Sequence, residues 1–220
     1  MKPGHPQVVA CPACETEHLR RTLLSANTAG TRYFTDGNSY APMWPASPQY
    51  TKCRSCSALF KITEETIEKR HWSELPEDAP YINFLEIDDY VAAIEQGLCN
   101  SAPKGSKEQK ADVMALRLAL WREFNEMFRD PESDAESMND PRYEDNCRAL
   151  LAEIPEDGAN DTSLLTLAEI HRNLGEYEDC LRLLGRVTRR ETFGRYISAS
   201  TAQCTARSRK TVQVSLAYGK

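Results

Sequence analysis

Two pairs of cysteines at the same short spacing constrain this chain more than any other feature of its sequence. Cys11 and Cys14 form the first CxxC pair, and Cys53 and Cys56 form the second pair 38 residues further on. Each CxxC turn aims two sulfurs at one point, so two such turns supply four thiolates for a tetrahedral ion. The residues between the pairs are rich in turn formers, which predicts a small β module held together by a metal.

The donor set favours structural zinc (Zn²⁺) at these four cysteines. A site with four Cys ligands has no free coordination position, so we expect the metal to stabilise the fold and not to catalyse a reaction. Iron is compatible with the same four ligands and remains an alternative. A redox CxxC is typical of a βαβ setting, which this segment lacks.

The stretch from about Val8 to Ile62 resembles a zinc ribbon. It departs from that pattern at Glu15 and Ser57, where zinc knuckles often have glycine, and its long spacer implies an inserted hairpin or Pro-rich loop. Three segments also resemble a region near the start of uncharacterised bacterial proteins, a likeness that names no activity: Asn27–Gly37, Ala41–Met43 and Cys53–Phe60.

The composition changes character near residue 62, which predicts an α+β chain with two domains, 1–62 and 63–220. In the first domain, short strands are expected at 19–25, 31–34 and 58–62, with a hairpin turn at Asp36-Gly37. In the second, apolar residues recur at helical spacing. The expected helices cover about 87–98, 108–129, 141–154, 161–174, 177–187 and 198–207. An acidic loop is expected at 130–140. Asp140 and Asp161 are expected as helix N-caps, with Pro141 in the first turn of its helix.

A helical hairpin at about 161–187 resembles a tetratricopeptide repeat. The large and small residues of that family's pattern match Leu164, Leu167, Ala168, Cys180 and Leu184. The resemblance implies a concave first-helix surface that binds a partner protein. The residues expected there are Thr162, Leu165, Glu169, Arg172 and Asn173. Ordinary surface positions with no partner are the alternative, since a free-standing solenoid normally needs three repeats.

The net charge of −6 is unevenly distributed along the chain: +4 over residues 1–62, −16 over 63–186 and +6 over 187–220. An acidic middle opposes phosphate, which disfavours general nucleic-acid binding. Aromatic and basic residues between the cysteine pairs still leave a nucleic-acid-associated zinc ribbon as the alternative function. The basic end, Arg189 to Lys220, either stays free or folds back onto the acidic segment.

The remaining titratable residues suggest no enzyme. The four histidines are scattered, and Cys99, Cys147, Cys180 and Cys204 lack CxxC spacing, so we expect the latter to be reduced and dispensable for the metal. The sequence contains no membrane-spanning apolar run and no secretory leader, which predicts a cytoplasmic protein. We therefore expect a non-enzymatic adaptor that contains zinc and binds another protein.

Overall fold

A computed structural model describes residues 2–44, 46–68, 70–76, 78–98, 103, 105–127, 129 and 139–214. These residues form an α+β fold, with small antiparallel sheets mainly in the first part and six α-helices further along, as expected. Cys99 and most of the acidic loop expected at 130–140 lie outside the described residues. No described helix is both long enough and apolar enough to span a bilayer.

The strands are short and pair antiparallel in four small sheets. The sheet orders are β1-β4, β3-β2-β9, β7-β8 and β10-β5-β6. The strand bounds are β1 Lys2–Pro3, β2 Gln7–Ala10, β3 Glu17–Arg20, β4 Leu23–Ser25, β5 Arg32–Phe34, β6 Ser39–Tyr40, β7 Tyr50–Lys52, β8 Leu59–Lys61, β9 Ile67–Glu68 and β10 Gln213–Val214.

The helix bounds are α1 Ile87–Glu95, α2 Lys107–Met127, α3 Pro141–Glu153, α4 Asp161–Asn173, α5 Tyr177–Arg186 and α6 Arg190–Thr205. The cap predicted for α3 is confirmed, because the Asp140 side chain accepts from the Arg142 amide. The cap predicted for α4 is wrong by one residue: the Asn160 side chain accepts from the Ser163 amide. Helix α6 begins eight residues before the expected Ser198, and Phe193 and Ile197 of its first turns pack against the helical core.

The chain divides into two compact units. The N-terminal unit comprises Met1–Gly30 and Ala41–Leu116. Its core lies between strands that carry the cysteine pairs, where Val9 and Phe60 are buried beside Cys11 and Cys53. The apolar side chains packed against this small cluster are Ala58, Ile62, Ile67 and Ile82. The cysteines are therefore part of the interior that the strands enclose.

The helical unit comprises Thr31–Tyr40 and Arg117–Lys220. Its core is formed by α4, α5 and α6, and the members of the buried cluster are Leu164, Leu167, Ala168, Cys180, Leu183, Leu184, Val187 and Cys204. All five side chains expected to pack between α4 and α5 are in this cluster.

The division differs in two ways from the predicted domains 1–62 and 63–220. Residues 63–116, which include α1, belong to the N-terminal unit, and the hairpin β5–β6 belongs to the helical unit. Asp36 at its turn is buried, accepts from Asn125 and pairs with Arg129 at 2.7 Å. The guanidinium of Arg129 also lies 3.9 Å from the centroid of the Phe34 ring. These polar contacts join residues about 90 positions apart, and no local pattern in the sequence indicates them.

Candidate metal centre

Both cysteine pairs lie at the turns of β-hairpins. Cys11 and Cys14 occupy the turn between β2 and β3, and Cys53 and Cys56 occupy the turn between β7 and β8. The two turns have the same backbone bonds. The Cys11 amide donates to the Thr16 carbonyl at 3.0 Å, and the Cys53 amide donates to the Ala58 carbonyl at 2.8 Å. Each hairpin therefore presents two sulfurs from one rigid turn.

The residue after each second cysteine has a left-handed backbone, which explains why glycine is frequent there in zinc knuckles. Glu15 has φ of 58° and Ser57 has φ of 61°. Their amides donate back to the carbonyls of Cys11 and Cys53, at 2.8 and 3.0 Å. A residue with a Cβ atom is strained in this conformation by roughly 1–2 kcal/mol. Both turns therefore adopt this left-handed conformation although Glu15 and Ser57 disfavour it.

The four sulfurs lie close enough together to bind one ion. The Cys11 and Cys56 sulfurs are 3.8 Å apart, and the Cys14 and Cys53 sulfurs are 3.6 Å apart. All four sulfurs lie within 4.8 Å of one another. A tetrahedral zinc ion with bonds of about 2.3 Å separates its sulfurs by about 3.8 Å. The arrangement therefore fits a closed tetrathiolate site in both donor chemistry and spacing.

The pKa values of Cys11 and Cys14 are shifted in opposite directions by their surroundings. A hydrogen bond from the Thr16 side chain lowers the pKa of Cys14 to about 6, whereas burial raises the pKa of Cys11 to about 12. Cys14 is exposed and Cys11 is buried. A cation among four sulfurs favours the thiolate form of each ligand. Cys11 consequently depends on the ion to become ionised at neutral pH.

His18 links the two hairpin turns, a role that no sequence pattern indicates. Its side chain is fully buried, and its two ring nitrogens contact the Thr16 carbonyl at 3.0 Å and the Arg54 amide at 3.3 Å. The neutral tautomer with hydrogen on Nδ1 satisfies both contacts, because Nδ1 then donates and Nε2 accepts. His18 thus connects the two cysteine turns through contacts that do not involve the sulfurs.

A second cluster of potential ligands consists of His171, Glu176 and Asp179. The His171 ring lies 2.6 Å from the Glu176 carboxylate, which also pairs with Arg148. The arginine supplies the positive charge that a cation would bring. We therefore interpret this cluster as an ion-pair network at the α4–α5 turn.

Three of the five residues expected to contact a partner lie inside the helical unit. Glu169, Arg172 and Asn173 are all at most 1% exposed. Arg172 donates to the Ser208 and Lys210 carbonyls, both at 2.7 Å, and Asn173 donates to the Arg209 carbonyl at 2.7 Å. The surface prediction is wrong for these three, because residues 208–214, here called the tail segment, cover them.

The two other expected contact residues differ from these three. Thr162 is exposed at the start of α4, and Leu165 is half-buried against the helical core. The basic end of the chain was expected either to stay free or to fold back. The tail segment, which is part of that end, folds back onto α4.

The cysteines outside the CxxC pairs are buried thiols where the structure describes them. Cys147 is fully buried, and burial raises its pKa to about 12. The sulfurs of Cys180 and Cys204 are 3.3 Å apart in the core of the helical unit. None of the three belongs to the tetrathiolate cluster. Their expected reduced state and dispensability for metal binding stay predictions.

The fold and the site together define an α+β protein with a cysteine cluster consistent with a zinc-ribbon-like centre. No family model, curated protein or solved structure matches the chain.

Proposed function

We propose that this chain is a non-enzymatic adaptor that binds another protein and depends on structural zinc for the shape of its N-terminal unit. The closed tetrathiolate geometry supports a structural role for the metal, because four sulfurs saturate a tetrahedral ion. Zinc would be held by Cys11, Cys14, Cys53 and Cys56. Zinc binding would hold the two cysteine hairpins in a fixed position relative to each other.

The observation that carries the adaptor proposal is a group of exposed apolar side chains on the N-terminal unit. Large apolar side chains that stay exposed to water are candidates for contact with a partner protein. Four of the seven such residues described are in this unit: Leu24, Trp44, Tyr81 and Phe84, exposed by 69, 55, 39 and 52%. Since the tail segment covers the concave residues of α4, we assign partner binding to Leu24 and Trp44, the two most exposed of these four residues.

The test uses crosslinking of the tagged full-length chain in the cells that produce it, followed by quantitative mass spectrometry. Wild type is expected to capture one protein in near-stoichiometric amount, and the double variant Leu24→Ser, Trp44→Ser is expected to lose it. Leu181→Ser is the matched control, because Leu181 is exposed on the helical unit. The zinc content of each variant is measured, so that a loss of capture can be distinguished from a loss of folding.

Two outcomes would contradict the proposal. The first is unchanged capture by the double variant. The second is tight binding of DNA or RNA that survives high salt, with no crosslinked protein, which would favour the nucleic-acid-associated alternative. Ordinary phosphate binding weakens steeply as salt rises, so a gel shift at two salt concentrations separates that outcome from a nonspecific one.

A further inference from the structure

The N-terminal unit contains a cavity of about 650 Å³ that the proposed adaptor role does not use. Four separate stretches of the chain form its walls: the first residues, the end of β3 with the residues that follow, the Pro-rich loop before β7 and residues 81–84. Its lining is mainly apolar and includes Pro3 and Pro48 as well as Tyr81 and Phe84. Volume and lining fall in the range typical of small-molecule sites.

Two arginines supply the polar part of this cavity. Arg20 donates from Nε to the Ser47 hydroxyl at 2.9 Å, and the Arg21 guanidinium lies 4.6 Å from the centroid of the Tyr81 ring. Within the described part of the chain, neither arginine forms an ion pair with a carboxylate. Arginines elsewhere in this unit do so, since Arg70 pairs with both Glu17 and Glu68.

Two guanidinium groups beside an apolar wall favour a ligand that has both an acidic group and an apolar body. Arginine presents a planar set of N–H donors that binds carboxylate, sulfonate or phosphate oxygens in pairs. An aromatic or aliphatic body would contact the rings of Tyr81 and Phe84 and the proline walls. A neutral ligand would gain no charge-assisted hydrogen bond from the two guanidinium groups, and a simple inorganic anion would make no use of the apolar walls.

We propose that this cavity binds a small organic anion, with its acidic head at Arg20 and Arg21 and its apolar body against Tyr81 and Phe84. The site is distinct from the protein-binding role and does not depend on it. Ser47 holds the Arg20 guanidinium at the cavity wall, and the Tyr81 ring holds that of Arg21. Both cations are thus positioned before the ligand arrives, which lowers the entropic cost of binding.

The test uses two fluorescent probes that share an aromatic body and differ in charge. 8-Anilinonaphthalene-1-sulfonate carries an acidic head, and N-phenyl-1-naphthylamine carries none. We expect the zinc-loaded full chain to bind the sulfonate saturably, one molecule per chain. The double variant Arg20→Gln, Arg21→Gln is expected to weaken the sulfonate by about tenfold or more, since two charge-assisted contacts are lost, and to change the neutral probe by less than about twofold.

Three controls make the result specific. Arg54→Gln removes an exposed arginine of the same unit that does not line the cavity, so it is expected to bind both probes like wild type. Phe84→Ala is expected to weaken both probes, because it removes part of the apolar wall. The zinc content and circular dichroism of every variant show whether it is folded.

Displacement identifies the class of ligand. We expect 4-phenylbutyrate to displace the sulfonate probe and the matched alcohol, 4-phenylbutanol, to displace it far less. The proposal is overturned if the sulfonate binds the double arginine variant as tightly as wild type, or if wild type shows no saturable binding. It is also overturned if polyglutamate displaces the probe and 4-phenylbutyrate does not, since the occupant would then be a polypeptide.

Discussion

Replacing Arg172 with methionine tests the buried ion pair that lies under the tail segment. Arg172 donates from Nε to Glu169 at 3.0 Å and is fully buried, as is its partner. Methionine keeps much of the apolar volume. Among the described residues, it leaves the Glu169 carboxylate with hydroxyl donors only, from Thr35 at 2.6 Å and Thr211 at 3.4 Å. Removing one member of a buried pair typically costs about 3–5 kcal/mol, because the other charge stays desolvated.

The assay is urea unfolding of the zinc-loaded full chain, followed by far-ultraviolet circular dichroism. We expect Arg172→Met to lower the free energy of unfolding by about 3–5 kcal/mol. Arg182→Met is the matched control, because the Arg182 ion pairs are exposed and should contribute less than about 1 kcal/mol. Adding Glu169→Gln to Arg172→Met is expected to recover part of the loss, since the second change removes the unpaired charge.

The same variant should release the tail segment. Arg172 bonds the carbonyls of Ser208 and Lys210, so its loss is expected to make the chain more sensitive to trypsin at Arg209 and Lys210. The reasoning is refuted if Arg172→Met costs no more than Arg182→Met and trypsin cleavage near residue 209 is unchanged. That result would mean that the ion pair contributes little to holding the tail segment on α4.

Three further predictions concern other parts of the chain. Cys53→Ser is expected to abolish bound zinc in elemental analysis and to make the N-terminal unit sensitive to protease, whereas Cys147→Ser should keep its zinc; equal zinc in both variants would contradict the site. Ser57→Gly is expected to raise the metal-loaded unit's free energy of unfolding by up to about 1 kcal/mol, because glycine removes left-handed strain at some entropic cost; a loss of stability would contradict this. The amides of Thr188 and Arg189 lower the pKa of Asp161 to about 2. Its stabilising contribution is therefore complete above its ordinary value of 3.8 and is lost as pH falls toward 2. Asp161→Asn should lack this component when unfolding is measured across that window, and an identical pH profile in both proteins would refute it.

The parts of the fold that could be predicted from sequence are those encoded locally. The spacing of Cys11 and Cys14, repeated at Cys53 and Cys56, indicated the two cysteine turns because a CxxC turn needs only its own few residues, whereas strands β2 and β7 before them were not predicted. The α4 stripe indicated a helix with one buried face for the same reason. The start predicted for α6 was too late because it overlooked Phe193 and Ile197, which lie four residues apart and pack against the core of the helical unit.

The interior position of Glu169 and Arg172 could not be predicted in this way. Both are charged residues on a helix, and such residues normally face water. They are buried because they pair with each other and because Thr35 and the tail segment supply hydrogen bonds from 134 and 36 to 38 residues away. Helical periodicity carries no information about partners at those separations. The same limit applies to His18, whose contacts join β3 to the second cysteine turn.

A single α4–α5 hairpin cannot bury both of its faces, which is why repeat proteins stack several units. In this chain other elements of the helical unit cover the remaining faces of the hairpin. Helix α6 contributes Cys204 to the core, and the tail segment extends over the polar side of α4 before β10 pairs with β5. Arg172 and Asn173 bind backbone carbonyls of this extended segment, as a peptide-binding surface would, but the peptide belongs to the same chain.

This arrangement predicts the behaviour of a chain that ends at Arg207. Truncation removes the carbonyls bound by Arg172 and Asn173 and the buried side chains of Thr211 and Val214, but it opens α4 to water, which can hydrate the groups left behind. We expect a folded helical unit whose free energy of unfolding is lower by about 2–4 kcal/mol, mainly from the lost apolar burial and hydrogen bonds. A synthetic peptide of residues 208–220 should restore part of that stability when added in excess, by mass action on the folded state. Loss of the helical circular dichroism signal on truncation, with no recovery on adding the peptide, would show that the tail segment is an inseparable part of the core.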